Sequence, residues 1–278
     1  MKNLFKILKA SLTIGLCTAS VSAVSFQYLD SFAFTDDEGP QGIAYDSTSD
    51  SLYIGAGSST VYVYTTAGTL DRTFTTNLTE GIYGLSMYGS DLLLADRDGS
   101  LQQYTTGGVA VGEPIDISPP SGTNGGVSVG VSLGNSIIFV VDDNDEGIYL
   151  FDTDGDMIQF QDTEDYSASF DEPAGVAWDS VTDNIFVVDD AAGTNAVYEI
   201  DSSWSLLGVT YFDDLGGDFE DPEGIALDVT NNLAYVAFDN DQEIGIFSID
   251  RSVPDTGSTA ALLGVGVAAL AFARRRLG

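Results

Sequence analysis

The chain has 278 residues, of which 43 are acidic and nine basic, with no histidine, for a formal net charge of −34. That length holds one large domain, and the charge excludes nucleic acid and anionic membrane surfaces as partners by repulsion. A single cysteine, Cys17, excludes a disulfide framework, so stability has to come from a packed core.

At the N-terminus Lys2, Lys6 and Lys9 precede an apolar run from Ala10 to Thr18, and Val21-Ser22-Ala23 is a small-residue cleavage site. This order predicts a secretory signal peptide over 1–23. A lipoprotein signal on Cys17 fits less well, because bulky Leu16 stands directly before it. The next stretch, Val24 to Phe34, alternates and is rich in aromatics, so it reads as a strand standing alone before the first repeat.

From there the chain repeats. Gly39-Pro40-Gln41-Gly42-Ile43-Ala44 returns as Glu172-Pro173-Ala174-Gly175-Val176-Ala177 and as Asp221-Pro222-Glu223-Gly224-Ile225-Ala226. Weaker copies surround Gly84 and Gly130, so the anchoring glycines recur roughly every 42 to 49 residues. Each repeat divides into short apolar runs separated by turn residues. In the first they are Gly42–Asp46, Leu52–Ala56, Val61–Thr65 and Leu70–Thr75. The second repeat has a weaker fourth run near Val109–Ile117, and Pro119-Pro120-Ser121-Gly122 marks a loop after it. The fifth has only three runs, Gly224–Leu227, Leu233–Phe238 and Ile244–Ile249. Four strands per repeat at this period predict a propeller blade. The expected fold is all-β, a five-bladed β-propeller over 24–252, its last blade completed by the lone N-terminal strand.

After it come Val253-Pro254-Asp255-Thr256-Gly257, an apolar run of about 14 residues and Arg274-Arg275-Arg276. A plain tail anchor is one reading of that order. The order also resembles the PEP-CTERM sorting signals of exosortases, in the variant written Val-Pro-Asp-Ser-Gly, with Thr256 in place of serine. The resemblance implies a sorting segment over 253–278, processing by an exosortase-type enzyme, and display on the surface or in the matrix of a double-membrane bacterium. Contact with a membrane is then expected only through the tail before processing. With both ends removed, Arg72, Arg97 and Arg251 face 42 carboxylates, a net charge of about −40. The repeats themselves resemble NHL propeller repeats in their Pro-x-Gly-Ile/Val-Ala opening.

Between 24 and 252 there is no His, Cys or Lys. This removes Ser-His-Asp and Cys-His nucleophiles, Schiff-base lysines and the usual zinc ligands. Carboxylates remain. Aligned on the glycines, Glu38, Glu80, Asp171 and Glu220 fall four positions before, and Asp96, Asp142, Asp189 and Asp239 fall at the end of the second run. Both columns are expected on one rim, where a hard cation such as calcium would find many oxygens. The alternative is that these residues end strands and fill turns, where Asp is locally favoured. Asp152-Thr153-Asp154-Gly155-Asp156 is read as an ordinary hairpin turn. Glu38-Gly39-Pro40 is similar to the metal-binding segment of gluconolactonase-type propellers. Tyr64, Tyr104, Phe151 and Phe247 recur at the third run, a packing position. Trp178 is expected in the core and Trp204 in an exposed turn. The function expected from these features is an exported, non-catalytic binding or scaffold module, its surface ligand unnamed. A metal-dependent lactonase or a carboxylate-pair glycosidase is the alternative.

Overall fold

Turn chemistry shapes every blade. Asp46, Asp179 and Asp228 end the first strands of three blades and fold back on their own hairpins. Their Oδ1 atoms accept from the N–H groups of Thr48, Val181 and Thr230 at 2.8, 2.8 and 3.0 Å. The closing residues Asp50, Asp183 and Asn232 take φ values of 52°, 61° and 56°, a left-handed conformation that Asp and Asn tolerate. Asp152–Asp156 is such a hairpin too: Asp152 Oδ1 accepts from Asp154 and Asp156, and Gly155 has φ 90°.

The computed structural model describes residues 23–97, 99–117, 131–134, 136–191, 193–217 and 219–251. Asp98, Gly126, Gly130, Pro119–Gly122 and the two terminal segments, Ala23 apart, lie outside them. Residues 23–252 form one compact unit, and no helix among the described residues is long and apolar enough to cross a membrane. In chain order the strands are β1 Ser25–Ala33, β2 Pro40–Asp46, β3 Ser51–Ala56, β4 Thr60–Thr65, β5 Leu70–Thr75, β6 Gly84–Tyr88, β7 Asp91–Ala95, β8 Ser100–Thr105, β9 Ala110–Asp116 and β10 Val131–Gly134. They continue with β11 Ile137–Asp142, β12 Gly147–Phe151, β13 Met157–Asp162, β14 Pro173–Asp179, β15 Asn184–Asp189, β16 Ala196–Ile200, β17 Leu206–Tyr211, β18 Pro222–Asp228, β19 Leu233–Phe238 and β20 Glu243–Asp250. A 3-10 turn, Phe212–Leu215, follows β17.

These strands make five antiparallel sheets of four. Blades one to four take consecutive strands, β2–β5, β6–β9, β10–β13 and β14–β17. The fifth is ordered β1-β20-β19-β18, with Phe26 opposite Ile249 and Phe32 opposite Ile244. The lone N-terminal strand therefore closes the ring, as its aromatic alternation predicts. The first strands β2, β6, β10, β14 and β18 pack on one another around the axis.

The repeat glycines follow from that packing. A Cβ on Gly42 would lie 2.7 Å from the backbone N of Leu85, one on Gly175 2.6 Å from the Glu223 carbonyl, and one on Gly224 2.4 Å from the Gln41 carbonyl. Neighbouring first strands meet backbone to backbone there, and only glycine leaves the room.

Each of the five core clusters lies between two successive blades. Phe34, Ile54 and Tyr64 meet Tyr235 and Ile244 between blades five and one, while Tyr53 and Val63 meet Leu92 and Tyr104 between one and two. Leu101 and Phe151 share the next, Leu150 and Ile200 the one after, and Phe186 and Phe247 the last. The recurrent aromatics thus sit at blade-to-blade interfaces. Phe26 shows what the closing strand contributes: its ring lies 5.7 Å from that of Phe186 and 6.5 Å from that of Phe247. Phe26→Ala is expected to cost about 4 kcal/mol in denaturant unfolding. A loss below about 1 kcal/mol would show that the closing strand is not a stabilising part of the ring.

Candidate functional site

The acidic residues separate into two groups. Most cap their own turns. Asp96 is buried and its Oδ1 accepts from Ser100 at 2.9 Å. Asp142 is fully buried, with Oδ1 accepting from Asn144 at 2.9 Å and Asp145 at 3.3 Å. Asp189 is fully buried, with Oδ1 accepting from Ala191 at 2.9 Å and Glu172 at 3.3 Å. The Oδ2 atoms of Asp142 and Asp189 have no hydrogen-bond partner. Glu38 and Glu80 are exposed, and Asp171 is half-buried.

The second group lies between blades four and five. One oxygen each from Asp190, Asp221 and Glu223 falls within 4.8 Å of the others, the one such cluster among the described residues. Asp190 follows the end of β15. Asp221 and Glu223 flank the proline that opens β18. Asp221 takes φ 64°, at the position where blades one and two have Gly39 and Gly81 at 71° and 91°. Its N–H donates to Asn195 Oδ1 at 3.1 Å, and its carbonyl accepts from Asp239 N–H at 3.0 Å. Asp190 N–H donates to the Glu172 carbonyl at 3.2 Å. The backbone therefore fixes both carboxylates across the interblade gap. Asp190, Asn195, Asp213, Glu220, Asp221 and Asn240 line a cavity of about 500 Å³ there.

Of the eight residues singled out in the sequence, Glu220 lines this cavity and Asp239 is acted on by the Asp221 charge. No three of the eight bring oxygens within 4.8 Å of one another among the described residues. The triad escaped a column-by-column reading because its members differ from blade to blade. The signal was there: Asp221 replaces a glycine, and Glu223 stands where the other described blades have Gln41, Tyr83 and Ala174.

Desolvation dominates the electrostatics. Burial, then the Asp221 and Glu172 charges, pushes Asp190 up to about 8. Burial raises Asp221 too, against a hydrogen bond from Asp190. Asp189 rises to about 7 and Asp142 and Asp239 to about 6, burial first in each case. At neutral pH Asp190 thus keeps a proton between itself and Asp221. Asp239 accepts a hydrogen bond from Gln41, whose buried Oε1 has no partner. A Cβ on Gly39 would fall 1.4 Å from Asp239 Oδ1, so glycine makes room for that carboxylate.

At the opposite end of the first strands the channel mouth is apolar. Tyr45, Met87, Trp178 and Leu227 occupy one position in four blades and border a cavity of about 150 Å³. Trp204 departs from expectation. It is half-buried against the core between blades three and four, in the cluster that Leu206 and Trp178 also pack against.

Fold and site define an acidic, five-bladed β-propeller with one carboxylate cluster between two blades. Residues 252–277 match the VPDSG-CTERM motif, so the chain ends in an exosortase-type sorting signal. No curated protein matches the sequence. Among solved structures, glutaminyl cyclase of Myxococcus xanthus superposes with a TM-score of 0.60 at 13% identity, over 81% of this chain and 96% of that one. A protein of unknown function from Bacteroides thetaiotaomicron gives 0.55 at 16% identity, over 75% of this chain and 58% of that one. One from Bacteroides caccae gives 0.51 at 10% identity, over 71% and 69%. At such identities the likeness is one of fold.

Proposed function

We propose that the protein is an exported propeller, displayed on the cell surface or in the matrix, that binds rather than catalyses, and that its interblade cluster takes a hard divalent cation. The observation that carries this is the convergence of Asp190, Asp221 and Glu223 from two blades. The VPDSG-CTERM motif supports export and processing by an exosortase-type enzyme. In the same reading residues 1–23 are a signal peptide removed after Ala23.

Three carboxylates this close cannot all ionise without a counter-charge. Protonation of Asp190 supplies one solution and a cation the other. Calcium suits an all-oxygen site that can recruit Glu220, Asp213 and the side-chain oxygens of Asn195 and Asn240. Binding then displaces the proton and strengthens as pH rises.

Thermal unfolding in millimolar calcium chloride, against sodium chloride at matched ionic strength, tests this. At pH 8 a calcium-specific gain of about 2.7 kcal/mol is expected at 100 times Kd, shrinking at pH 5.5. Asp190→Asn and Asp221→Asn should erase it. Equal stabilisation by both salts would mean that the acidic surface is only being screened. Loss in Asp142→Asn and Asp189→Asn alone would place the ion at the second-strand column instead. Turnover of a lactone or glycan panel, lost in Asp190→Asn, would change the reading from binding to catalysis.

A further inference from the structure

In blades one to three the turn before the outermost strand has a glycine in the left-handed region, Gly68 at φ 79°, Gly108 at 85° and Gly155 at 90°. Blade four has Trp204 there, at φ 62°. A bulky side chain is a genuine outlier in that conformation, and glycine is the residue that suits it. Such an exception points to a use for the side chain.

Trp204 and Trp178 are the chain's two tryptophans. With Leu150, Asp183, Asp201 and Ser202 they line one cavity of about 200 Å³ between blades three and four. It lies at the far end of β14 from the Asp190 cluster, since Pro173 pairs with Asp189 whereas Asp179 pairs with Asn184. Trp178 Nε1–H donates to Asp183 Oδ1 at 3.0 Å, which fixes the indole. Asp201 Oδ1 accepts from Ser203 N–H, Ser203 Oγ–H and Ser205 N–H at 2.9, 2.7 and 2.9 Å. Burial raises its carboxyl, but those hydrogen bonds outweigh it and hold it below the usual carboxylate range. Asp201 is therefore charged at neutral pH.

We propose that this cavity binds a small organic cation, an alkylated ammonium group, with the two indoles against its apolar shell and Asp183 and Asp201 as counter-charges. Indole is the best aromatic partner for a cation. A domain of about −40 concentrates cations at its surface and repels acids. A water takes about 30 Å³ of liquid, so the space suits a group the size of about six or seven waters. A neutral sugar could hydrogen-bond to either carboxylate but would leave both charges unbalanced, whereas an organic cation balances them.

Because both fluorophores line the cavity, intrinsic tryptophan fluorescence reads it directly. Tetramethylammonium chloride should give a saturable change that sodium chloride at matched ionic strength does not, with half-saturation in the millimolar range. Trp204→Gly restores the residue of the sister blades; it should keep a cooperative unfolding transition and weaken binding at least tenfold, read through Trp178. Asp201→Asn, which retains an acceptor for the turn, should weaken it about fivefold even if Trp204→Gly does not fold. Asp190→Asn should leave it unchanged, which separates this site from the interblade carboxylates. No response beyond that to sodium chloride overturns the proposal. So does equal affinity for glucose, or full affinity in Asp201→Asn.

Discussion

Lowering the pH from 8 to 5 is expected to stabilise this protein, by about 4 kcal/mol and roughly 10 °C in Tm. Most proteins gain little or lose stability over that range, because their carboxylates are paired with cations in the folded state. Here the domain over 24–252 has three arginines and no lysine, and the charges acting on Asp142, Asp189, Asp190 and Asp239 are those of other carboxylates. Asp190 sits at about 8, Asp189 at about 7, Asp142 and Asp239 at about 6, each raised first by burial. In the unfolded chain all four fall near 3.9. The folded protein therefore takes up protons first as pH falls, and proton uptake favours the state that binds more. Their contribution is fully present below about 4 and is lost as pH rises through 6 to 8. Each unit of difference is worth about 1.4 kcal/mol before screening, and general relief of self-repulsion acts in the same direction. The experiment is a melting series between pH 5 and 8.5 at constant ionic strength without divalent ions. Asp189→Asn should raise Tm at pH 8 and flatten the profile, since the amide keeps the turn-capping oxygen and removes the charge. A Tm that stays level or falls on acidification would mean that these carboxylates are neutralised by something other than protons.

The same chemistry explains what could be seen in the sequence. Gly42, Gly175 and Gly224 were legible because a steric requirement, the backbone contact of successive first strands, recurs in their three blades. Tyr64, Tyr104, Phe151 and Phe247 were legible for the same reason. The closing strand followed from a count, three strands at the end and one spare at the start. The columns of carboxylates also recur, each in four blades of five, and in blades two to four the second column is structural: Asp96, Asp142 and Asp189 hold their own turns.

A site in a ring of repeats is made by departures from the repeat. Asp221 in a glycine's place, Glu223 beside it and Trp204 where three blades have glycine are such departures. Alignment on the shared residues averages them away. Nor does alignment say that Asp190 of one blade faces Asp221 of the next, because that depends on how far each turn reaches across the gap. The serine-rich turn around Trp204 reads as exposed, and it is packing against the core cluster between blades three and four that half-buries the ring.

Cleavage after Ala23, as the proposed signal peptide requires, would create a new N-terminus at Val24, and a gain in stability is expected from it. The Val24 backbone nitrogen donates to Glu199 at 2.7 Å in a buried setting, and Asn184 Nδ2 donates to the other carboxylate oxygen at 2.7 Å. Beside them Arg251 Nε reaches the fully buried Asp179 at 2.7 Å. Arg251 is thus bonded to one of two neighbouring buried carboxylates and acts on the other only through its charge, and burial, eased by those two hydrogen bonds, raises Glu199. Cleavage after Ala23 turns the Val24 amide into an α-ammonium, charged below about pH 8. The cluster then has two cations for two anions. Charging one donor of an already hydrogen-bonded buried carboxylate, less the desolvation of the ammonium, is expected to add about 1.5 kcal/mol, roughly 3–6 °C. A protein beginning at Val24 should therefore melt above one that retains residues before it. The gain should be present at pH 7, fade as pH rises above the α-amino range, and vanish in Glu199→Gln. Mass spectrometry of the exported protein should find Val24 as its first residue. Equal melting of the two forms, or an equal difference in Glu199→Gln, would show that the terminus is not paired with Glu199. If the pairing holds, the proposed processing and folding are coupled: a chain cut after Ala23 reaches a stability that the uncut chain does not.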